Sequence, residues 1–436
     1  MASSTNRGAA AVETIELTRR RWLQVMGGVA SWSAVAATAG AQQAATQLLS
    51  TEPLTPGVLP AGIRSRFVNN VNGLRVHVLE AGFETRNQPA VVLLHGFPEL
   101  AYSWRKVMLP IASAGYHVIA PDLRGYGRTI GWDGAYDGDL ESFGLLNYVR
   151  DTVGLVSALG YRSVTALVGH DFGSPVAAWC ALVRPDVFRS LVLMSAPFAG
   201  PPALPFNTAD AAPTATAAAA AADPLDEALA ALKPPRKQYR KYYSTRQAND
   251  DMTKAPQGLH AFLRAYYHMK SADWPRNVPF PLKAMTADEL AKLPTYYVME
   301  LMQTMPETVA PEMPSPAEIA ACKWLPDDEL RVYTSEYQRT GFQGGLHGYR
   351  VRLTDKHNAQ LQTFSGRSID VPSIFVAGKS DWGVFQTAGA FESMQRTACT
   401  QMRGAHLVDG AGHWVQQEQA EAVGKLLLQF LDSQPR

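Results

Sequence analysis

The run Leu167-Val168-Gly169-His170-Asp171-Phe172-Gly173-Ser174 constrains the fold more than any other stretch of this chain. An apolar run ends in Gly-x-Asp-x-Gly and passes into a helix-forming segment, Pro175 to Leu182. A strand-to-helix junction of this kind holds its central residue in a strained backbone conformation, and side chains at Gly169 and Gly173 would keep strand and helix apart. The Asp171 side chain is then raised at the C-terminal edge of a sheet, as in a nucleophile elbow. Taken alone, the pattern fits a surface turn with a capping aspartate better, so the residues that accompany it decide.

Those residues come in a telling order. His95-Gly96-Phe97-Pro98 follows the apolar run Val91 to Leu94, and Gly378-Lys379-Ser380-Asp381-Trp382-Gly383 follows Ser373 to Val376. Gly410-Ala411-Gly412-His413-Trp414 follows Ala405 to Val408. Nucleophile, acid and base thus succeed one another, each on a loop at a strand end. Asp381 as a loop cap or His413 as a turn histidine would be unremarkable singly. Their joint order is not. The loop at Phe97 is placed to offer one backbone N–H to an oxyanion, and Phe172 the other.

Short apolar runs alternating with helical patterns mark an α/β sheet. The strand candidates are Arg66 to Val71, Leu74 to Glu80, Ala90 to Leu94, His117 to Ala120, Val164 to Val168, Leu191 to Met194, Ser373 to Val376 and Ala405 to Val408. Between the sixth and seventh, 199–352 is rich in Tyr, Met, Pro and helical periodicity and reads as an inserted helical cap. It divides a core into 62–198 and 353–436. The Ala/Thr/Pro tract Ala211 to Ala222 is of low complexity and receives no function. Apolar residues make up 46 % of the chain, enough for a real core.

With these residues in view, the chain from His95 onward resembles the epoxide hydrolase family of α/β-hydrolases. Further carriers of the likeness are Glu99, Ser103-Trp104-Arg105, Pro121-Asp122-Leu123-Arg124-Gly125-Tyr126-Gly127, and Gly410 to Glu418. The resemblance implies an α/β-hydrolase fold: a mostly parallel eight-stranded sheet flanked by helices, with a helical cap. It also implies two cap tyrosines aimed at the nucleophile. Tyr239-Arg240-Lys241-Tyr242-Tyr243 matches the segment of the first, Tyr239, with Tyr242, Tyr243, Tyr266 and Tyr267 as competitors. Gly341 to Arg350 matches that of the second, Tyr349. The chain departs from the family where His347-Gly348 replaces the usual Asn-Trp and Phe172 the usual Trp.

The implied chemistry follows from an Asp standing where hydrolases usually keep Ser. A carboxylate is ionised at neutral pH and attacks an sp³ carbon without a base, giving an alkyl ester. Asp171 would open an epoxide while Tyr239 and Tyr349 stabilise the alkoxide; water activated by His413, itself oriented by Asp381, would hydrolyse the ester. No metal or organic cofactor is required. A haloalkane-type dehalogenase shares the nucleophile but holds halide with side-chain N–H donors, which Phe97 and Phe172 lack. A receptor on the same scaffold would need shape alone, not four catalytic elements. Phe97, Trp104, Phe172, Phe198, Trp382 and Trp414 point to a small apolar substrate, with Trp104 and Trp382 as binding residues.

Thr18-Arg19-Arg20-Arg21-Trp22-Leu23-Gln24, the uncharged stretch Val25 to Ala39 and Ala39-Gly40-Ala41 resemble a twin-arginine export signal over 1–41. A linker follows over 42–61. The stretch is too short for a stable membrane span, which needs roughly 20 strongly apolar residues. A periplasmic or secreted protein is expected if the signal acts, a cytoplasmic one otherwise. Forty basic and 39 acidic residues leave a net charge of +1, too little to attract nucleic acid. Cys180, Cys322 and Cys399 have no metal or redox spacing. Oligomeric state is left open.

Overall fold

Neighbouring residues of the central strands are apolar on both sides, and a strand presents alternate residues to opposite faces, so both faces of this sheet must be covered. The computed structural model describes residues 52–54, 57–204 and 224–434. The export-signal reading, the first part of the linker and the tract Ala211 to Ala222 lie outside the described residues. The strands are β1 (Ile63–Val71), β2 (Leu74–Ala81), β3 (Ala90–Leu94), β4 (His117–Pro121), β5 (Ala166–His170), β6 (Leu191–Met194), β7 (Arg236–Gln238), β8 (Val298–Glu300), β9 (Ser373–Gly378) and β10 (Met402–Val408). Eight of them form one sheet in the order β1-β2-β4-β3-β5-β6-β9-β10. The β1/β2 and β2/β4 pairs are antiparallel and the other five parallel.

The longer helices are α1 (Arg105–Ser113), α2 (Leu145–Ala158), α3 (Gly173–Val183), α4 (Leu259–Lys270), α5 (Asp327–Thr340), α6 (Gln343–Val351) and α7 (Ala420–Asp432). Val91, Leu93 and Val168 pack with Val107 and Ile111 of α1 and with Leu427 and Phe430 of α7. Val92, Leu94 and Leu167 face the other way, into the core shared with α2, α3 and the cap. The expected strands are all present. The fifth runs on to His170, because Val164 makes only an isolated bridge to Phe188 and the ladder starts at Ala166.

The inserted segment is not helical throughout. β7 and β8 pair antiparallel within it, Gln238 opposite Val298. Three residues a side are too few to leave a periodic signal in a sequence. The cap is tied to the core by α5: Arg105 Nε donates to Glu329 Oε1 (3.2 Å), Arg128 Nη2 to Glu336 Oε1 (2.6 Å), and Ser103 Oγ meets Tyr333 OH (2.8 Å). α6 carries three glycines, which disfavour a helix by about 1 kcal/mol each. They serve contact: a Cβ at Gly344 would strike the backbone of Gly125, and one at Gly345 the rings of Phe97 and Tyr126. The bare helix face therefore lies directly on the core and carries Tyr349 with it. No helix among the described residues is long and apolar enough to cross a membrane.

Candidate active site

Asp171 leaves β5 with φ at 50°, in the left-handed region that side-chain-bearing residues avoid. The turn closes because a Cβ at Gly169 would meet the backbone of Gly173, and one at Gly173 the backbone of Leu94. β3 lies beside β5 with Leu94 opposite Gly169, so the loop after β3 sits next to the raised aspartate. Phe97 N–H donates to Asp171 Oδ1 at 2.8 Å. Phe172 is the N-cap of α3, and N–H groups at a helix start have no partner inside the helix. Phe97 and the start of α3 at Phe172 thus lie on two adjacent turns.

β9 and β10 are also neighbours, and they bring acid and base together. His413 Nδ1 is 3.1 Å from Asp381 Oδ1, which also accepts Gly383 N–H at 2.7 Å. Ser195, after β6, donates to Asp381 Oδ2 at 2.5 Å and lies 2.8 Å from His413 Nδ1. On the far side of the ring, His413 Nε2 faces Asp171 Oδ2 at 3.3 Å, outside hydrogen-bonding geometry. Burial alone would raise the Asp171 pKa; the contact and charge of His413, with Lys270 and His170 adding charge, hold it well below the usual carboxylate range. Asp381 is likewise held down against burial, chiefly by His413.

A second buried pair lies beneath the first. Glu99 and His170 are both fully buried, and His170 Nδ1 is 2.5 Å from Glu99 Oε2 while its Nε2 is 2.7 Å from the His413 carbonyl oxygen. The carbonyl oxygen can only accept, so Nε2 donates to it, and a proton held on Nδ1 toward Glu99 makes the ring an imidazolium. Burial opposes that charge, but Glu99 outweighs it and raises the His170 pKa. Gln416 and Gln417 donate to Glu99 Oε1 at 2.8 and 3.0 Å. The His413 loop is also pinned from the cap, where Lys270 O accepts His413 N–H at 2.9 Å, and from its own C-terminal side, where Glu418 accepts N–H groups of Gly412 and Trp414 at 2.9 Å each.

A cavity of about 420 Å³ opens over Asp171 and is lined in part by Phe172, Tyr239 and Tyr349. The two tyrosine rings stand edge to face, centroids 5.9 Å apart. Burial lifts the Tyr349 phenol well above its ordinary pKa, with Asp171 adding to the shift, so it stays protonated. The competing tyrosines do not line the cavity, and three of them donate elsewhere: Tyr242 OH to Asp251 (3.0 Å), Tyr243 OH to Tyr266 OH (3.2 Å) and Tyr267 OH to Pro98 O (3.0 Å), while Tyr239 OH donates to the cavity residue Gln386 at 3.4 Å. The two departures at Phe172 and Gly348 meet in space. A Cβ at Gly348 would stand 2.8 Å from Phe172 Cζ, so the ring takes the room of the missing side chain. His347 turns away, its ring 4.7 Å from that of Phe143.

The expected substrate role of Trp104 is overturned. Trp104 is fully buried in the core on the α1 side of the sheet, because its helical turn points toward α1 and away from the elbow. Trp382 packs on Phe280 at 4.9 Å and does not line the cavity, although Gly383 next to it does. Trp414 is buried and donates to Tyr267 O at 2.8 Å, whereas Phe198 does line the cavity. The cavity is also not simply apolar: Arg240, Arg352 and His357 share it. Sequence reasoning missed these three, and Ser195, Lys270 and the Glu99–His170 pair with them. Among these, Glu99, His170 and Arg240 stood within motifs, but only as neighbours of the residues that carried the argument. Lys270 is buried with Nζ 5.2 Å from the rings of Tyr297 and Trp414 and without a carboxylate in ion-pair range among the described residues. Those residues hold no cluster of three or more His, Cys, Asp or Glu side chains suited to a metal ion.

Residues 89–420 match the family model described as alpha/beta hydrolase fold. Epoxide hydrolase B of Mycobacterium tuberculosis is 30 % identical over 373 residues, spanning 83 % of this chain and 96 % of that protein. Epoxide hydrolase A of the same organism is 31 % identical over 368 residues, spanning 83 % and 95 %. Among solved structures, an epoxide hydrolase from an endophytic Streptomyces superposes with a TM-score of 0.66 at 29 % identity, covering 86 % of this chain and 96 % of that one.

Proposed function

The chain belongs to the α/β-hydrolase family and, within it, to the epoxide hydrolases, and from that premise we propose that it converts an epoxide to a vicinal diol through a covalent ester on Asp171. The observation that carries this reading is the shared cavity: Asp171, Tyr239 and Tyr349 line one space, with the His413–Asp381 pair directly behind the carboxylate.

Asp171 Oδ2 attacks a ring carbon. The C–O bond breaks, its electron pair goes to the ring oxygen, and a tyrosine O–H supplies the proton, leaving a hydroxyalkyl ester and a tyrosinate. Oδ1 becomes the ester carbonyl oxygen and keeps the Phe97 N–H it already has. Water then loses a proton to His413 Nε2 and adds to the ester carbon. The charge on Oδ1 falls on the Phe97 and Phe172 N–H groups, where one such donor is worth about 10²- to 10³-fold in rate. Collapse of the intermediate expels the diol as an alkoxide, which takes the proton from His413 and leaves Asp171 as a carboxylic acid; Asp171 loses that proton to solvent and the tyrosinate regains one from it.

Diol formation from a panel of small epoxides tests the reading. The unaltered protein should turn over at least one of them, and Asp171→Ala should have none of that activity. Residual turnover in the variant would remove Asp171 from its role.

The localisation proposed with it is export through residues 1–41. A reporter fused to them should leave the cytoplasm, and should remain there when Arg19, Arg20 and Arg21 are changed to Lys. Export of both fusions would contradict a twin-arginine route.

A further inference from the structure

One end of the cavity carries more positive charge than opening a neutral epoxide needs. Arg240 and Arg352 both line it, half-buried, and among the described residues neither has a carboxylate within ion-pair distance. Their guanidiniums stand at other lining groups. Arg240 Nη2 donates to Gln386 Oε1 at 3.0 Å and its Nε to Tyr239 OH at 3.3 Å, while the Arg352 guanidinium carbon is 5.9 Å from the Phe172 ring. Beside them His357, only 3 % exposed, leaves Nε2 without a hydrogen-bond partner. Burial and the charge of Arg352 hold His357 down at about 4, so its ring is neutral at pH 7. Burial and Arg240 both press the Arg352 pKa downward, as expected of two cations sharing a confined space.

An apolar ligand filling this cavity would strip water from two guanidiniums and an imidazole and return nothing, a large penalty for each charge. A carboxylate reverses the balance: it relieves the repulsion between the cations and accepts the forked N–H donors that guanidinium presents. Asp171 favours the Arg352 cation through space but makes no ion pair with it, and its own larger counterparts are His413 and Lys270. The remaining lining, with Trp179, Phe198 and Leu361, suits a short hydrocarbon body.

We propose that the substrate of this enzyme is an epoxide bearing a carboxylate, which Arg240 and Arg352 bind within the cavity with His357 beside them. The inference rests on the epoxide-opening reading above and names the substrate class of that same site.

The test compares 3-phenylglycidate with its uncharged amide, and styrene oxide serves as a further neutral probe. With the unaltered enzyme, kcat/KM for the acid should exceed that for the amide by about 10- to 100-fold, the worth of charge-assisted hydrogen bonds to one anion. The acid-to-amide ratio should fall about 10-fold or more in Arg352→Gln and in Arg240→Gln, and recover in part in Arg352→Lys. A ratio of one or below in the unaltered enzyme, or the same ratio in both Gln variants, overturns the proposal. Should the variants fail to fold, inhibition of the unaltered enzyme decides. 3-Phenylpropanoate should inhibit about 10-fold more tightly than 3-phenylpropanamide, and equal inhibition overturns the proposal. Turnover of neutral epoxides without acid preference defeats this inference and leaves epoxide hydrolysis standing; no turnover of any probe defeats both.

Discussion

Phe97 N–H donates to Asp171 Oδ1 at 2.8 Å, which divides the work between the two carboxylate oxygens before any substrate is bound. In the proposed mechanism Oδ1 is thereby held for the oxyanion hole, and Oδ2, 3.3 Å from His413 Nε2, is left to attack. Asp171 is held below the usual carboxylate range and Tyr349 well above its ordinary value. A depressed acid is ionised, and an elevated phenol protonated, throughout neutral pH. Ester formation in a single turnover of the unaltered enzyme, followed by rapid mixing, should therefore be flat from about pH 5 to 9. A steep acid limb near pH 5 would show that Asp171 titrates normally and that the geometry does not hold it ionised.

In the proposed mechanism Tyr349 and Tyr239 serve the ring-opening step alone. Tyr349→Phe should slow ester formation by about 10²-fold or more, with ester hydrolysis within a few-fold of the unaltered enzyme. Rapid-mixing kinetics separates the two. Equal slowing of both steps would make Tyr349 a support for the cap.

Gly348 and Phe172 share one space, since a Cβ on the first would stand 2.8 Å from Cζ of the second. Gly348→Ala should push Phe172, and the elbow with it, costing about 1 to 3 kcal/mol of stability and lowering activity. Adding Phe172→Leu should restore part of both, a coupling that a double-mutant cycle measures. Additive losses would mean that the two positions do not meet.

Glu99 and His170 form a buried ion pair, and removing one partner strands the other. Glu99→Gln should cost about 3 to 5 kcal/mol, seen as a lower denaturation midpoint. The sign with pH follows from the two shifts. Glu99 is held below its ordinary 4.5, so its contribution is present above that value and lost as pH falls through the folded pKa. His170 is raised above 6.5, so its contribution is complete below that value and lost as pH rises through the folded pKa. The deficit of the variant should be greatest between about pH 4.5 and 6.5. A deficit independent of pH would show that the pair is not ionised.

What could be read from the sequence was local or ordered. The elbow at Asp171 announces itself through two glycines and a strand-to-helix switch, and Asp381 and His413 through their places at the ends of β9 and β10. Tyr349 stands out because its glycine-rich helix is a motif, and the glycines prove to be there for contact with Gly125 and Phe172. The remaining site residues are joined only by tertiary structure. Ser195 reaches Asp381 across 186 positions, and Glu99 reaches His170 across 71. Arg240 and Arg352 sit on separate cap elements, and nothing local marks either as facing a cavity. Trp104 misled for the opposite reason: its motif neighbours the site in sequence, while its ring packs on the far side of the sheet.

The central claim is a covalent ester on Asp171, and the intact mass of His413→Gln after incubation with epoxides tests it most directly. With the base removed the ester should form and persist, adding the whole mass of the epoxide to a peptide that maps to Asp171. The unaltered enzyme should show no stable adduct, and Asp171→Ala none at all. Turnover of the epoxide by the unaltered enzyme, with no adduct on Asp171 in the His413→Gln protein, would contradict the two-step account.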